Sequence, residues 1–132
     1  GHIPEGDGVL MGLLLLEMTC AWDAPLEELV ADLLKEVGPA EYARSDLRLA
    51  HPVNKGEMTR RLTENAPAAI GGQAVAAVES RDGVKYVMAD DSWLLIRPSG
   101  TEPVLRVYVE AREAGMLQAL MDFGKQVAES VK

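Results

Sequence analysis

Hydrophobic residues follow two helical patterns in the first part of the chain. Residues 8–22, GVLMGLLLLEMTCAW, are apolar nearly all round, which is typical of a helix buried on every side. A second, amphipathic helix is predicted after Pro25, because six apolar residues recur there at a spacing of three and four. These residues are Leu26, Leu29, Val30, Leu33, Leu34 and Val37. Gly38-Pro39 then ends this helix.

Beyond these helices the pattern changes to short alternating segments. Five segments have the composition and alternation of strands, namely residues 42–50, 73–80, 84–90, 92–97 and 104–111. The second and third flank Asp82-Gly83, and Asp-Gly is a strong hairpin signal. Helical patterns over residues 54–65 and 115–131 predict two further helices. The second part of the chain is therefore expected to be a compact α+β unit with an antiparallel sheet.

The boundary between the two parts is expected near Gly38-Pro39. The part before it has two helices, no strand and nothing to cover the apolar first helix. Such a helix without partners indicates a piece of a larger protein. We therefore expect two domains, residues 1–38 and residues 39–132.

Composition and charge limit the classes of function. The chain has 132 residues, of which 48% are apolar, enough for a folded core. The formal net charge of −8 argues against nucleic-acid binding, but not against a small phosphorylated ligand held by a few arginines. The single cysteine, Cys20, cannot form an internal disulfide, which fits a cytoplasmic location. The longest apolar run, residues 9–16, is shorter than the ~20 residues of a membrane span, so no membrane partner is expected.

The stretch LLIRPSGTEPVLRVYVE, residues 94–110, carries the chemistry of a phosphate site. Arg97 can offer a planar, bidentate guanidinium fork. Ser99 and Thr101 can each donate a hydroxyl, and Gly100 leaves the main chain open, so that successive N–H groups can form an anion-binding nest. Arg106 follows on the next strand. A plain hairpin turn with surface arginines accounts for the same residues, and their spacing alone leaves both interpretations open.

RPSGTEPVLRVYVEA, residues 97–111, resembles the C-terminal phosphate-binding loop of the α-D-phosphohexomutases, the phosphoglucomutase/phosphomannomutase family. That loop has approximately the pattern Arg-x-Ser-Gly-Thr-Glu-Pro, followed by an arginine on the next strand. GHIPEGDGVLMGLLLLEM, residues 1–18, resembles the stretch after the family's sugar-recognition loop. SRDGVKYVMADDSWLLIRPSGTEP, residues 80–103, follows the order and spacing of the family's last domain. The resemblance covers essentially the whole chain.

The resemblance implies the end of a four-domain enzyme. Residues 1–38 would be the last helices of an α/β domain, and residues 39–132 a C-terminal α+β domain with a four-stranded antiparallel sheet and two helices. In the family this last domain holds the phosphate of the sugar that is not being transferred. The reaction implied is phosphoryl transfer on a hexose phosphate, through an enzyme phosphoserine and a bisphosphate intermediate.

The site residues implied by the resemblance are those of the loop. Arg97, Ser99, Gly100 and Thr101 match the phosphate-binding positions, and Arg106 matches a second arginine. His2 matches a histidine near the sugar site, although a terminal histidine left by an expression tag is an equal alternative.

The catalytic parts of the family are not found in the sequence. It contains no phosphoserine loop of the Ser-His-Asn-Pro kind and no Asp-Gly-Asp-Gly-Asp magnesium loop. The resemblance implies Mg²⁺ in the parent enzyme, with its site outside this chain, and no catalytic or metal-binding residue within it. We therefore expect the chain alone to be inactive.

A second hypothesis belongs to a different class of function. The chain would be a stand-alone α+β interaction module that docks on a partner through its apolar first helix. Under either hypothesis, the apolar residues 9–18, from Val9 to Met18, are expected to dimerise or to exchange between copies.

Overall fold

The computed structural model describes residues 6–100 and 102–130 of the chain. The helices are α1 (Gly8–Trp22), α2 (Leu26–Val37), α3 (Lys55–Glu64) and α4 (Ala114–Ser130). The strands are β1 (Glu41–Arg48), β2 (Ala69–Ile70), β3 (Gln73–Glu79), β4 (Val84–Met88), β5 (Trp93–Pro98) and β6 (Val104–Ala111). Two compact units divide between Pro39 and Ala40. The assignment of the first unit to a preceding α/β domain stays a prediction.

The first unit consists of α1 and α2. The carboxylate of Asp7 caps α1 by accepting hydrogen bonds from the N–H groups of Val9 and Leu10, both at 3.0 Å. In the described part of the chain no residue of either helix is buried, and the side chains of Val9 and Trp22 are 76% and 66% exposed. The described residues of the first unit therefore do not by themselves bury α1, and its burial on every side stays a prediction.

The length and hydropathy of α1 and α2 bear on a membrane location. Neither helix, and no other single helix in the described ranges, is long and apolar enough to cross a membrane. The two meet that condition only when taken together, by length and composition, and the chain bends by 85° between them.

The second unit is built on one antiparallel sheet, which confirms the α+β class. Its strand order is β1-β6-β5-β4-β3-β2. The expectation of four strands is wrong, because the described sheet has six. β1 pairs with β6 along its whole length, from Glu41 opposite Ala111 to Arg48 opposite Val104. β2 is only two residues long and folds back on β3 through Gly71 and Gly72, both with positive φ.

The core lies on one face of this sheet. Alternate residues of the central strands point into it and are fully buried, as their period of two requires: Val84, Tyr86, Met88, Leu94, Ile96, Leu105, Val107 and Val109. α4 covers this face with Leu120 and Val127, and the hydroxyl of Tyr86 donates a hydrogen bond to the carbonyl of Leu62 in α3 at 2.8 Å. Gly124 permits the close approach of α4, because a Cβ there would lie 2.5 Å from Val107 Cγ1.

The predicted Asp82-Gly83 hairpin joins β3 to β4. Gly83 has a φ of +102°, a region that residues with a side chain rarely adopt. A Cβ on Gly83 would lie 3.0 Å from Arg97 Cα, so the turn is in close contact with β5. This contact places Asp82 beside the strand that carries Arg97.

Candidate functional site

The candidate phosphate site lies at the end of the β5–β6 hairpin, where residues 99–103 connect the strands. The N–H of Ser99 donates to the carbonyl of Val104 at 2.8 Å and so closes the hairpin. The N–H of Leu49 donates to the carbonyl of Pro103 at 2.8 Å, which ties the loop to the residue after β1. Because the Ser99 N–H is already used, a nest of successive N–H groups cannot begin at that residue.

Gly100 is not required by the conformation of the hairpin. It is exposed, its φ is not among the positive values found in the described residues, and a Cβ there would meet nothing within 4 Å. A ligand that approaches the main chain closely would instead require a residue without a side chain. The fold of the described chain therefore does not account for Gly100, and its role in phosphate binding stays a prediction.

Arg97 and Arg106 are direct partners across β5 and β6. Both side chains lie on the face opposite the core, because their neighbours Ile96 and Leu105 are fully buried. The arginine side chains are 39% and 29% exposed. Like charges placed directly opposite each other destabilise a sheet, so this pair needs compensation or a shared anion.

Two aspartates flank the arginine pair, one on each side. Asp46 is the cross-strand partner of Arg106 on β1, and its Oδ2 lies 3.9 Å from Arg106 Nε. Asp82 Oδ2 lies 2.5 Å from Arg97 Nε. This second contact is an ion pair rather than an aligned hydrogen bond, because neither buried Nε has a hydrogen-bond partner in the described structure. The two arginines therefore lie between two carboxylates, that of Asp46 on β1 beside Arg106 and that of Asp82 in the β3–β4 turn beside Arg97.

Each aspartate also pairs with a second positively charged side chain. Arg44 donates two hydrogen bonds to the oxygens of Asp46, both at 2.8 Å, and Lys55 Nζ donates to Asp82 Oδ1 at 2.7 Å. The hydrogen bonds from Arg44 are the main cause that lowers the pKa of Asp46 below its ordinary value. The hydrogen bond from Lys55 does the same for the pKa of Asp82, and the charge of Arg97 adds to it.

The electrostatic result is a local excess of positive charge. Two carboxylates contact four cationic side chains around the loop, in a chain with a formal net charge of −8. A dianion placed beside Arg97 and Arg106 would neutralise this excess. Fixed guanidinium groups recognise phosphate oxygens through charge-assisted hydrogen bonds.

The structure brings together four of the sequence-predicted site residues: Arg97, Ser99, Gly100 and Arg106. Thr101 and His2 lie outside the described residues, so their roles stay predictions. The sequence did not indicate that four further residues lie beside the site: Asp82, Asp46, Lys55 and Arg44. Asp82 was visible only as part of a hairpin signal, and the pairing of the others depends on strand register and on the placement of α3.

Two further features limit what the site can do. Within residues 6–100 and 102–130, no three histidine, cysteine or carboxylate side chains are grouped so as to hold a metal ion. A cavity of about 490 Å³, lined by Gln73, Asp90 and Met116 among others, lies at the opposite end of the strands from residues 99–103. Neither feature therefore adds a metal site or an enclosed cavity to the arginine pair in the described chain.

Comparison with known proteins gives a consistent family. Residues 57–125, more than half of the 132-residue chain, match the family described as phosphoglucomutase/phosphomannomutase, C-terminal domain. A phosphoglucosamine mutase of Methanococcus aeolicus is 35% identical over 123 residues, which cover 89% of this chain and 24% of that protein. A phosphoglucosamine mutase of Methanocaldococcus jannaschii is 31% identical over 131 residues, 95% of this chain and 26% of that protein.

A relative with another sugar in its name is also similar. A phosphopentomutase of Thermococcus kodakarensis is 35% identical over 103 residues, which cover 78% of this chain and 21% of that protein. The chain thus spans about a quarter of the length of the curated relatives it matches.

Proposed function

The chain belongs to the phosphoglucomutase/phosphomannomutase C-terminal domain family, and on that premise we propose that it is the phosphate-clamping domain of a larger sugar-phosphate mutase. The parent would be an isomerase that transfers a phosphoryl group within a hexose phosphate, through an enzyme phosphoserine and a bisphosphate intermediate. This domain would hold the phosphate that is not being transferred. The observation that carries the proposal is the pair of facing arginines, Arg97 and Arg106, between two aspartates at the end of the β5–β6 hairpin.

The geometry suits a site that must accept one anion in two sugar orientations. The guanidinium groups of Arg97 and Arg106, the hydroxyl of Ser99 and the main chain at Gly100 would recognise the charge and shape of a phosphate. The hydroxyl of Thr101, which lies outside the described residues, is a further predicted donor. None of them specifies a sugar hydroxyl. A phosphate between the two guanidinium groups also offsets their mutual repulsion. The domain would therefore supply orientation and binding free energy, while the reacting groups come from elsewhere in the parent.

Magnesium, the expected cofactor of the parent, does not fit the described residues of this chain. Within the described residues no three histidine, cysteine or carboxylate side chains are grouped so as to hold a metal ion, and the two carboxylates beside the site, Asp46 and Asp82, are paired with arginines and a lysine. We therefore place the metal and the phosphoserine outside this chain, and we expect the chain alone to be inactive. A cytoplasmic location remains part of the proposal.

The sugar is not specified by this domain. Two relatives carry glucosamine in their names and one carries pentose. We propose a hexose phosphate or bisphosphate as the ligand. The choice among glucose, mannose and glucosamine would be made by parts of the parent that read the sugar. His2, predicted near the sugar site, lies outside the described residues.

The test of this proposal is kinetic and uses the complete parent enzyme. A charge-assisted hydrogen bond is worth about 1.5–3 kcal/mol, so Arg97→Ala should lower kcat/KM by roughly 10- to 150-fold. Arg60→Ala is the matched control, because Arg60 is an exposed arginine of α3 that pairs with Glu64. Kinetics of Arg97→Ala equal to those of the wild type would contradict the proposal.

The exposed surface of α1 favours a second candidate function, docking on a protein partner. Val9, Leu13, Leu16 and Trp22 are each more than half exposed. In a stand-alone interaction module this surface would bind the partner, or a second copy of the chain through residues 9–18. A Leu13→Glu variant that keeps phosphate binding but abolishes self-association in sedimentation would assign this surface to contacts between chains. A monomeric wild-type chain would count against dimerisation.

A further inference from the structure

We propose that Asp82 is a positioning residue for the phosphate site, and that it holds the guanidinium of Arg97 with its terminal nitrogens free for the ligand. This inference rests on the proposed function. The ion pair between Asp82 and Arg97 is formed at Nε, at 2.5 Å. The two terminal nitrogens of Arg97 donate no hydrogen bond within the described part of the chain. A phosphate can therefore accept two hydrogen bonds from the terminal nitrogens of Arg97 while Asp82 remains paired with Nε.

The second oxygen of Asp82 is held independently of Arg97. Lys55 Nζ, at the first residue of α3, donates to Oδ1 at 2.7 Å. Asn54, the N-cap residue of α3, accepts a hydrogen bond through its side-chain oxygen from the N–H of Glu57 at 3.0 Å. The carboxylate thus bridges a helix start and the arginine. This bridge limits the rotation of Asp82 about its own side-chain bonds.

The backbone of the β3–β4 turn determines where Asp82 lies relative to β5. Gly83, with a φ of +102°, lies so close to β5 that a Cβ would come within 3.0 Å of Arg97 Cα. The next residue, Val84, is the cross-strand partner of Ile96. Asp82 therefore reaches Arg97 from a turn whose backbone is in close contact with β5.

A positioning role and a purely electrostatic role predict opposite results. Asp82 is an anion next to an anion-binding site, so by Coulomb repulsion alone its removal should tighten phosphate binding. If Asp82 orients Arg97, its removal should weaken binding, because the released guanidinium must lose rotational freedom when the ligand binds. The direction of the change therefore separates the two roles.

The chain offers a close control in Asp122. This aspartate lies on α4, its side chain is 52% exposed against 54% for Asp82, and it pairs with Lys125 at 3.3 Å. The substitutions Asp82→Asn and Asp122→Asn change the net charge of the chain equally. Only Asp82 contacts a residue of the site.

The experiment measures the dissociation constant for inorganic phosphate by ¹⁵N NMR titration at constant ionic strength. Asp82→Asn should weaken binding about threefold to fivefold, the upper range of an exposed ion pair, and should broaden or shift the Nε–Hε signal of Arg97 before phosphate is added. Asp82→Ser, which cannot reach Arg97, should weaken binding at least as much. Asp122→Asn should leave the constant within about twofold of the wild type.

Two different results would contradict the positioning role of Asp82 and the proposed function separately. If the wild type binds phosphate and both Asp82 variants bind it equally well or more tightly, Asp82 is not a positioning residue, although the proposed function stands. If the wild type itself shows no saturable phosphate binding, the proposed function fails and this inference fails with it. Unchanged amide signals of the core residues Tyr86 and Leu94 would show that the variants are folded.

Discussion

Gly83 lies with its Cα against the backbone of Arg97. A Cβ on Gly83 would be 3.0 Å from Arg97 Cα and closer still to the carbonyl oxygen of Ile96, and the φ of Gly83 is +102°. The β3–β4 hairpin is thus held against the same stretch of β5 that carries the first arginine of the site. One backbone contact therefore serves both the fold and the placement of Asp82.

Gly83→Ala is expected to destabilise the chain more than a glycine substitution at another turn. Strain at a positive φ costs about 1–2 kcal/mol, and the clash with β5 adds about 1–3 kcal/mol. Gly72→Ala is the control, because Gly72 has a φ of +86° but a Cβ there would meet nothing within 4 Å. Urea unfolding should show a clearly larger loss for Gly83→Ala. Equal losses in the two variants would mean that the contact with β5 is not tight.

Gly100→Ala is expected to separate ligand binding from stability. Because the described structure leaves open space around the position of a Cβ at Gly100, the free energy of unfolding should change by no more than about 0.5 kcal/mol. A phosphate that approaches the main chain there would meet the new methyl group, so phosphate binding should weaken. Urea unfolding and a phosphate titration of the same variant check the two parts. Unchanged phosphate affinity would exclude close approach to the main chain at this residue.

The hydroxyl of Tyr86 makes stability depend on alkaline pH. Tyr86 is fully buried, and burial raises its pKa from 10.0 to about 12. The folded pKa lies above the unfolded one, so the contribution of this group is fully present below pH 10 and is lost as the pH rises toward 12.

Tyr86→Phe tests this dependence directly. It should remove the loss of stability between pH 10 and about 12 and should cost about 0.5–1.5 kcal/mol at neutral pH, since the hydrogen bond to the carbonyl of Leu62 disappears. Urea unfolding across the alkaline range gives both quantities. Tyr42→Phe is the control, because Tyr42 is 58% exposed. The same alkaline loss in wild type and Tyr86→Phe would show that another group is responsible.

Much of the fold follows from local patterns in the sequence. The helical pattern over residues 115–131 correctly indicated α4, and Asp82-Gly83 correctly marked the β3–β4 turn. Both features depend on residues close together in the chain, where periodicity and turn chemistry are informative.

The features that were not predicted depend on pairing between residues far apart in the sequence. β2 has only two residues and shows no alternation, so it was not predicted, and the pairing of β1 with β6 joins segments about sixty residues apart. That pairing places Asp46 opposite Arg106, which no local pattern indicates. The arginines and the glycine of the site could be named from the sequence. Their aspartate partners required the register of the sheet.

The central claim is that Arg97 and Arg106 share one phosphate at the end of the β5–β6 hairpin. The most direct test is an NMR titration of the chain with inorganic phosphate, read on the Nε–Hε signals of both arginines and on the amide of Gly100. The account predicts that these three signals shift together along one saturable curve. It also predicts that Arg97→Ala lowers the affinity for phosphate about 10- to 150-fold, while Arg60→Ala does not. Shifts that do not saturate, or an Arg97→Ala variant that binds phosphate as the wild type does, would contradict it.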